Sequence, residues 1–343
     1  MFAGITNALY SFLNWIQGWT VYWGIAIIVF TIIVRLVLTP LDVKSRASMR
    51  KTQKLQPQLQ VLQKKYANDK EKLNAKTAEL YKKAHVNPLS SCLPLLLTWP
   101  ILIAVFGAMR TAANKEILNQ VAQILSGQEP TLEPFLWIKN LWMPDNPFYS
   151  ALPNANTLQM ISQGEWETWF NGLQGNMPPL LAELNLTVES FTKENLGATI
   201  QAIIDAMSGA KVLMADGTEY LYYAEGVRDL AGASIPLLGS LKHMFNGLLL
   251  LPILSAVSQL AMTKLMGGNQ ATPTEGPGAG SGKFMKWFFP IFSAWICLSY
   301  SSAFALYWVA GNLVSMGQTF LINKYLDRKE SMAAPVAGEG SVK

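Results

Sequence analysis

The chain has 343 residues, of which 50% are hydrophobic and only 14% are charged, whereas soluble proteins usually carry about a quarter charged residues. This balance excludes an ordinary soluble globular protein and favours a protein of the lipid bilayer. Residues 1–34 and 287–323 contain no Asp, Glu, Lys or Arg, and the second stretch could cross a bilayer twice at about 20 residues per crossing.

Residues 1–20 form an uncharged segment in which apolar residues recur at helical spacing with polar residues between them. This pattern predicts an amphipathic helix at the membrane interface rather than a further span. Windowed hydropathy predicts the first transmembrane helix over residues 21–41. Arg35 lies inside this span, about 9 Å before its inner end at a rise of about 1.5 Å per residue.

A basic segment, residues 42–90, follows the first span and carries twelve Lys/Arg against four Asp/Glu. Leucines at helical spacing on both sides of Asn68-Asp69 predict two helices that form a hairpin. The hairpin either only joins two spans or serves as a docking arm at an anionic membrane surface.

The second span is predicted at residues 91–110, and a long acidic segment at residues 111–243 follows it. Within this segment, residues 114–240 carry fourteen Asp/Glu against five Lys/Arg. The segment is too long for a connector, so we expect a small extracytoplasmic α+β domain. Apolar runs on both sides of Asp216-Gly217 predict a β-hairpin within it.

Three further spans are predicted at residues 244–265, 287–301 and 302–323, and the last two form a tight hairpin. A flexible Gly/Pro-rich linker, residues 266–286, precedes the fourth span, and residues 324–343 form a tail. The positive-inside rule places the basic hairpin and the tail in the cytoplasm and the N-terminus outside. The predicted fold class is an all-α polytopic membrane protein with five transmembrane helices around a hydrophilic groove.

Arg35 has no carboxylate partner inside any predicted span. A charge at this depth costs about 2.5–3.5 kcal/mol on insertion scales. Its long side chain either snorkels to the cytoplasmic headgroups or faces a water-filled groove inside the bundle. Asp42, seven residues further along at the interface, is only a weak candidate partner.

Other polar side chains are also predicted at membrane depth. Each could simply form a hydrogen bond with a neighbouring helix, which is the commoner role for such groups. Together with Arg35 they would instead line a wet, substrate-binding groove. The candidate groove residues besides Arg35 are Thr31, Thr98, Asn312, Ser315 and Gln318.

The sequence contains no convincing catalytic, cofactor-binding or metal-binding motif. Its two histidines, His85 and His243, fall on opposite membrane faces in this topology, which argues against serine triads and His-based metal sites. Gly278–Lys283 ends like a phosphate loop, but the first glycine and the preceding strand of that motif are missing. We therefore expect no enzyme activity, no cofactor and no metal.

Several short motifs occur in a specific order towards both ends of the chain. They include Arg35–Leu41 at the end of the first span, Val86–Pro94 before the second, and Leu306–Trp308 with Asn312 in the fifth. In this order they resemble the YidC family of membrane protein insertases, with its mitochondrial and chloroplast relatives, in the five-span bacterial form. Thr98 stands where a glutamine is usual in the family.

The resemblance implies a groove that is open to the cytoplasm and to lipid. It implies that Arg35 attracts acidic or polar parts of an incoming chain and that the cytoplasmic hairpin receives this chain. It also implies that spans three and five offer an apolar exit for the substrate. Candidate residues of this substrate slide are Met262, Trp308 and Met316.

We therefore expect a membrane protein insertase and chaperone that works without nucleotide hydrolysis in the bacterial plasma membrane. Nascent membrane proteins and anionic lipids are the expected partners, with the Sec translocon, the ribosome and the signal recognition particle receptor as further candidates. Sequence-specific nucleic-acid binding is not expected. One alternative is a secondary transporter or channel, which would need ion-binding groups at the midplane and often internal repeats. Another is a membrane scaffold, in which Arg35 would be dispensable.

Overall fold

The computed structural model describes residues 2–84, 93–213, 219–221, 223, 245–267 and 279–333. These residues are mostly helical and include one short antiparallel strand pair. The helices are α1 (Phe2–Gln17), α2 (Trp23–Lys65), α3 (Lys70–Lys83), α4 (Leu93–Leu125), α5 (Ala155–Gln159), α6 (Gln163–Gly172), α7 (Pro179–Glu183), α8 (Leu196–Gly209), α9 (Leu250–Gly267), α10 (Ala279–Ser299) and α11 (Ser302–Ala333), with a 3₁₀ turn at Val188–Phe191.

The chain divides into two compact units. The first unit comprises residues 1–29, 104–255 and 292–308. The second unit comprises residues 30–103, 256–291 and 309–343, and it contains Arg35 together with most of the candidate groove residues.

Helix α2 contains both the first predicted span and the first arm of the predicted hairpin, and it is continuous from one to the other. Pro40 and Pro57 lie inside it. The predicted break at Asn68-Asp69 is confirmed: α2 ends before it, and an Asp69 carboxylate oxygen accepts from the backbone N–H of Lys72 at 3.0 Å to cap α3. The hairpin is thus a long helix followed by a short one.

Among the described helices, α2 alone meets the combined length and hydropathy criteria for a membrane span, with a mean hydropathy of 2.4 in its most apolar window. Two shorter apolar stretches lie at Leu250–Leu265 in α9 and Trp287–Ser299 in α10. Residues 85–92, which include the first two residues of the second predicted span, lie outside the described part of the chain.

Three helices extend beyond the predicted spans, because hydropathy detects a membrane-length apolar window rather than the end of a helix. Helix α4 continues past residue 110 to Leu125, and this extension buries an apolar face that includes Ile117, Val121 and Ile124. Helix α10 begins at Ala279, so the last residues of the predicted 266–286 linker are helical. Helix α11 continues through the start of the predicted tail to Ala333.

The acidic insertion is largely helical where it is described, and its core includes the buried aromatic side chains of Trp166, Phe170 and Phe191. The predicted hairpin corresponds to an antiparallel pair of two-residue strands, β1 (Val212–Leu213) and β2 (Glu219–Tyr220). Residues 214–218 of the predicted turn lie outside the described residues. The β component of this region is therefore very small.

A buried carboxylate, Asp145, holds the start of α9 within the first unit. Its side chain is 0% exposed and accepts from the backbone N–H groups of Leu248 at 2.7 Å, Leu249 at 3.2 Å and Leu251 at 2.6 Å. The indole N–H of Trp137 donates to the same carboxylate at 3.2 Å. Asp145 thus satisfies one donor of the first turn of α9, the N–H of Leu251, and the donors of the two residues just before the helix.

Candidate functional site

The site is built where α2 and α11 lie side by side within the second unit. The Gln318 side-chain amide donates to the backbone carbonyl of Arg35 at 2.9 Å and to the Thr39 hydroxyl at 2.8 Å. Further along both helices, the Arg46 guanidinium donates to the Thr319 hydroxyl at 2.6 Å. Later residues of α2 contact later residues of α11, so the two helices run parallel.

The Arg35 guanidinium lies against the backbone of α11 at Gly311. A Cβ atom on Gly311 would lie 3.2 Å from Nη2 and 3.6 Å from Nε of Arg35, and 3.8 Å from the Thr31 methyl carbon. The first of these distances is tighter than ordinary van der Waals contact. The absence of a side chain at Gly311 therefore makes room for the guanidinium.

Arg35 is half-buried and has no carboxylate oxygen within 4.0 Å among the described residues. Asp42 acts on it only through longer-range electrostatic attraction. This geometry agrees with the expectation that Asp42 is a weak partner. The positive charge of Arg35 is therefore open to another anionic or polar group.

Two polar atoms in the same part of the second unit are buried without a hydrogen-bond partner among the described residues. They are the Ser315 hydroxyl oxygen and the Gln318 side-chain carbonyl oxygen. Buried polar atoms normally have a partner, which is often an ordered water when protein groups are absent. The face of α11 beside Arg35 therefore has two buried acceptors that an ordered water could satisfy.

The other candidate groove residues have different surroundings. Thr31 is 0% exposed and lies beside Gly311. Asn312 donates to the Ser258 hydroxyl of α9 at 3.0 Å, which is the helix-to-helix role that the sequence left open. Thr98 belongs to α4, but its side chain lies outside the described part of the chain. The structure thus places the Arg35 guanidinium and Thr31 beside Gly311, and Gln318 against the backbone carbonyl of Arg35.

Comparison with known proteins gives the family. A family model described as 60Kd inner membrane protein matches residues 15–330 of this chain. The chain belongs to this family. It is therefore a membrane protein, and the predicted resemblance to the YidC insertases is confirmed.

Several relatives carry the name membrane protein insertase YidC. The relative from Fusobacterium nucleatum is 42% identical over 155 residues, which are 45% of this chain and 67% of that protein. The one from Clostridium tetani is 40% identical over 141 residues, or 41% of this chain and 52% of the relative. The one from Anaeromyxobacter dehalogenans is 39% identical over 154 residues, 45% of this chain but only 25% of the relative.

The residues predicted for an apolar slide in this family member are distributed over both units. Met262 and Met316 are half-buried in the second unit. Trp308 belongs to the first unit, where its ring packs on Phe304 with a centroid distance of 5.7 Å. A slide formed by all three residues remains a prediction.

Three contributors to the site did not emerge from the sequence: Gly311, Thr39 and Ser258. A signal for Gly311 was present, because Gly311, Ser315 and Thr319 recur every four residues and form a stripe of small residues on one face of α11. Such stripes are typical of membrane helices whose backbones approach closely. Thr39 and Ser258 carry no comparable signal, because their partners lie on other helices far away in sequence.

Ion pairs link α2 and α11 in the parts of both helices that follow the predicted spans. Arg50 lies 2.6 Å from Asp327, and Lys54 lies 2.7 Å from Glu330. These pairs are mostly exposed, with 69% of the Asp327 side chain accessible. Each pair therefore contributes little stability by itself, but together they extend the parallel pairing of the two helices.

The short helix α3 has its own internal ion pairs. Hydrogen bonds from Lys76 and Lys83 lower the pKa of Glu79 from 4.5 to about 2, and the hydrogen bond to Lys72 lowers the pKa of Asp69. Lys70 and Lys82 are exposed and form no ion pair with a described residue. These two lysines are available to an anionic surface.

Within the described residues, no group of three or more His, Cys, Asp or Glu side chains could hold a metal ion. His85 and His243 of the sequence argument lie outside those residues. The described site therefore depends on one guanidinium and on neutral hydrogen-bonding groups.

Proposed function

We propose that this chain is a membrane protein insertase that works through a groove beside Arg35. A short polar segment of a client protein enters the groove, while the apolar span of the client partitions directly into lipid. The observation that carries the proposal is the half-buried Arg35 guanidinium, which has no carboxylate within 4.0 Å among the described residues. Relatives from three bacterial genera that are named as YidC insertases support it.

The physical task of such a groove is to lower a desolvation cost. An unpaired peptide group that enters hydrocarbon loses several kcal/mol of hydrogen bonding, and a charged group loses more. The Ser315 and Gln318 side-chain oxygens are buried without a partner among the described residues, and we propose that they accept hydrogen bonds from water that enters the groove with the client. Arg35 attracts an acidic client segment by charge. Neither role needs nucleotide hydrolysis or covalent chemistry.

The proposed topology has five spans in the bacterial plasma membrane, with the N-terminus outside and the C-terminus in the cytoplasm. The parallel pairing of α2 and α11 supports it. Two spans cross the membrane in the same direction only when an odd number of spans lies between them, and the proposed topology places three spans between the first and the fifth. The tight turn between α10 and α11 supports two consecutive spans at residues 287–323.

The proposed partners follow from the same features. Nascent membrane proteins are the substrates of the groove, and the exposed lysines of α3 face anionic lipids. The ribosome, the Sec translocon and the signal recognition particle receptor are candidate partners of the hairpin formed by α2 and α3. The slide formed by Met262, Trp308 and Met316 would contact the apolar span of the client.

The test is complementation in cells depleted of their own insertase, with insertion of a single-span client that has an acidic outer tail as the readout. We expect Arg35→Ala to lower insertion about tenfold, which corresponds to about 1.4 kcal/mol of lost attraction. Arg35→Lys should retain most activity if charge alone suffices. Arg328→Ala is the matched control, because Arg328 is exposed on α11 and forms no ion pair with a described residue.

A second client with an uncharged tail separates the groove from general folding defects. We expect its insertion to depend much less on Arg35, because it offers no negative charge. If Arg35→Ala inserts every client at the level of the unmodified chain, the groove mechanism is wrong.

A further inference from the structure

The first unit contains a cavity of about 310 Å³ that is lined by none of the candidate groove residues. Its walls come from three parts of the chain. Helix α4 contributes Phe106, Arg110 and Asn114, the turn between α10 and α11 contributes Tyr300, and the acidic insertion contributes Trp142. The cavity is thus a built feature of the fold rather than a surface depression on one helix.

The polar lining of the cavity favours an anion. Arg110 donates to the backbone carbonyl of Met160 and has no carboxylate within 4.0 Å among the described residues. The Trp142 indole is only 1% exposed, and its N–H has no acceptor among those residues. Among the described residues, no Asp or Glu lines the cavity directly, and the nearby Glu165 carboxylate accepts from the lining residue Asn114 at 2.9 Å. The exposed guanidinium of Arg110, which lacks a carboxylate partner, attracts an oxygen-rich, negatively charged group, and the buried Trp142 N–H is a further donor in the same lining.

The other wall is apolar and aromatic. The Phe106 ring packs edge-on against Tyr300 at 4.8 Å and against Phe304 at 5.0 Å between centroids. A ligand that suits both walls carries an anionic head next to an apolar body. Phospholipids have this chemistry.

We propose that this cavity binds the phosphate group of a phospholipid headgroup. A volume of about 310 Å³ is at the small end of the range for ligand sites, so it suits a headgroup rather than a whole lipid. Arg110 and Tyr300 are at the ends of the predicted spans 91–110 and 287–301, where headgroups lie. The cavity lining itself points to a phosphate group. The inference that this phosphate belongs to a lipid rests on the proposed spans, which place the cavity at the level of the headgroups.

Lipid binding is measured by native mass spectrometry of the full chain in detergent. The probes are phosphatidylglycerol, a diacylglycerol with the same acyl chains, and inorganic phosphate as a competitor. We expect saturable binding of phosphatidylglycerol and none of diacylglycerol. Inorganic phosphate should compete only at concentrations far above those of the lipid, because it lacks the apolar body.

Variants locate the binding. Arg110→Gln should weaken phosphatidylglycerol binding about tenfold, and Trp142→Phe, which removes only the N–H donor, should weaken it severalfold. Lys115→Gln is the matched control on α4, because Lys115 does not line the cavity and lies instead over the Tyr10 ring at 4.3 Å. Its binding should stay unchanged. Ala113→Leu fills the cavity without altering charge and should also weaken binding.

Several outcomes would overturn the proposal. These are equal loss of binding in Arg110→Gln and Lys115→Gln, equal binding of diacylglycerol, or competition by inorganic phosphate at the concentration of the lipid. Thermal unfolding of each variant shows whether it folds, and Trp142→Phe remains informative if Arg110→Gln does not. Loss of lipid binding with intact client insertion would leave the proposed function standing, whereas the Arg35 variants test that function separately.

Discussion

Asp145 and Arg35 are two ionisable side chains in apolar surroundings that differ in burial and in hydrogen bonding. The Asp145 carboxylate is fully buried and accepts four hydrogen bonds, three of them from the first backbone N–H groups around the start of α9. The Arg35 guanidinium is half-buried, lies against a glycine and has no carboxylate nearby among the described residues.

The difference separates a structural charge from a functional one. A buried charge with all its hydrogen bonds made holds chain segments in place, and removing it is costly because its partners are then left open. A charge that the protein leaves partly unpaired adds little to stability and remains available to a ligand. We therefore expect substitutions at the two residues to change different measured properties.

The largest expected effect is on stability, at Asp145. Asp145→Ala leaves three backbone N–H groups and one indole N–H without their acceptor, and we expect a loss of about 3–5 kcal/mol in the free energy of unfolding. Thermal unfolding of the purified chain in detergent measures it. Asp205→Ala is the control, because Asp205 is exposed on α8 and bonds only to Gln201. A loss below about 1 kcal/mol would contradict the structural role of Asp145.

The next effect concerns activity, at Gly311. Gly311→Leu places side-chain atoms next to the Arg35 guanidinium, so we expect insertion of an acidic client to fall severalfold; because Gly311 is buried, we also expect a loss of about 1–3 kcal/mol in stability, which thermal unfolding measures. Gly317→Leu is the matched control on the same helix, since a Cβ there meets no atom within 4 Å. If the two variants insert clients equally well, the contact between Arg35 and Gly311 has no role in activity.

A smaller effect is expected at the ion pairs between α2 and α11. Glu330→Gln removes an exposed pair with Lys54, and exposed pairs contribute little to global stability. We expect no measurable shift in thermal unfolding but faster hydrogen exchange over the last two turns of α11, because the local contact holds those turns. High salt should have the same effect on the unmodified chain, since it screens the pair. A large global destabilisation would disagree with the exposure of Glu330.

The smallest effect at neutral pH is expected at Glu79. Its pKa is lowered from 4.5 to about 2, so its contribution to α3 is complete above pH 4.5 and is lost as the pH falls through about 2. We expect hydrogen-exchange protection of residues 70–83, corrected for intrinsic rates, to stay constant from pH 8 to pH 5 and to fall at lower pH. In Glu79→Gln, protection should fall less on acidification than in the unmodified chain, because residue 79 no longer titrates. In Glu71→Gln, on the same helix, protection should fall as much as in the unmodified chain.

The sequence predicted the helical class, the break at Asn68-Asp69, the turn before α11 and the isolation of Arg35. These features depend on local signals: hydropathy, polar breakers and the absence of nearby carboxylates. The family motifs also identified the correct family. Local patterns therefore sufficed for features that depend on residues close together in the sequence.

The sequence did not predict the contacts that join distant segments. Asp145 belongs to a short polar stretch after Pro144, and nothing near it indicates that its acceptors serve a helix about 100 residues later. Similarly, the hydrogen bond from Gln318 to Thr39 joins residues from opposite ends of the chain. The full lengths of α4 and α11 were also not predicted, because both helices continue past their apolar windows, where tertiary contacts and ion pairs hold them.

Because α2 is one uninterrupted helix, a small tilt at one position moves its far end over a large distance. Its 43 residues extend over about 64 Å, roughly twice the thickness of the hydrocarbon core, and about 45 Å separate Arg35 from its end at Lys65. A tilt of about 10° at Arg35 would displace that end by about 8 Å if the helix moved rigidly. Pro40 and Pro57 each remove one backbone hydrogen bond along this length. The helix can bend at these two prolines, and a bend there changes how far a movement beside Arg35 displaces the far end of α2.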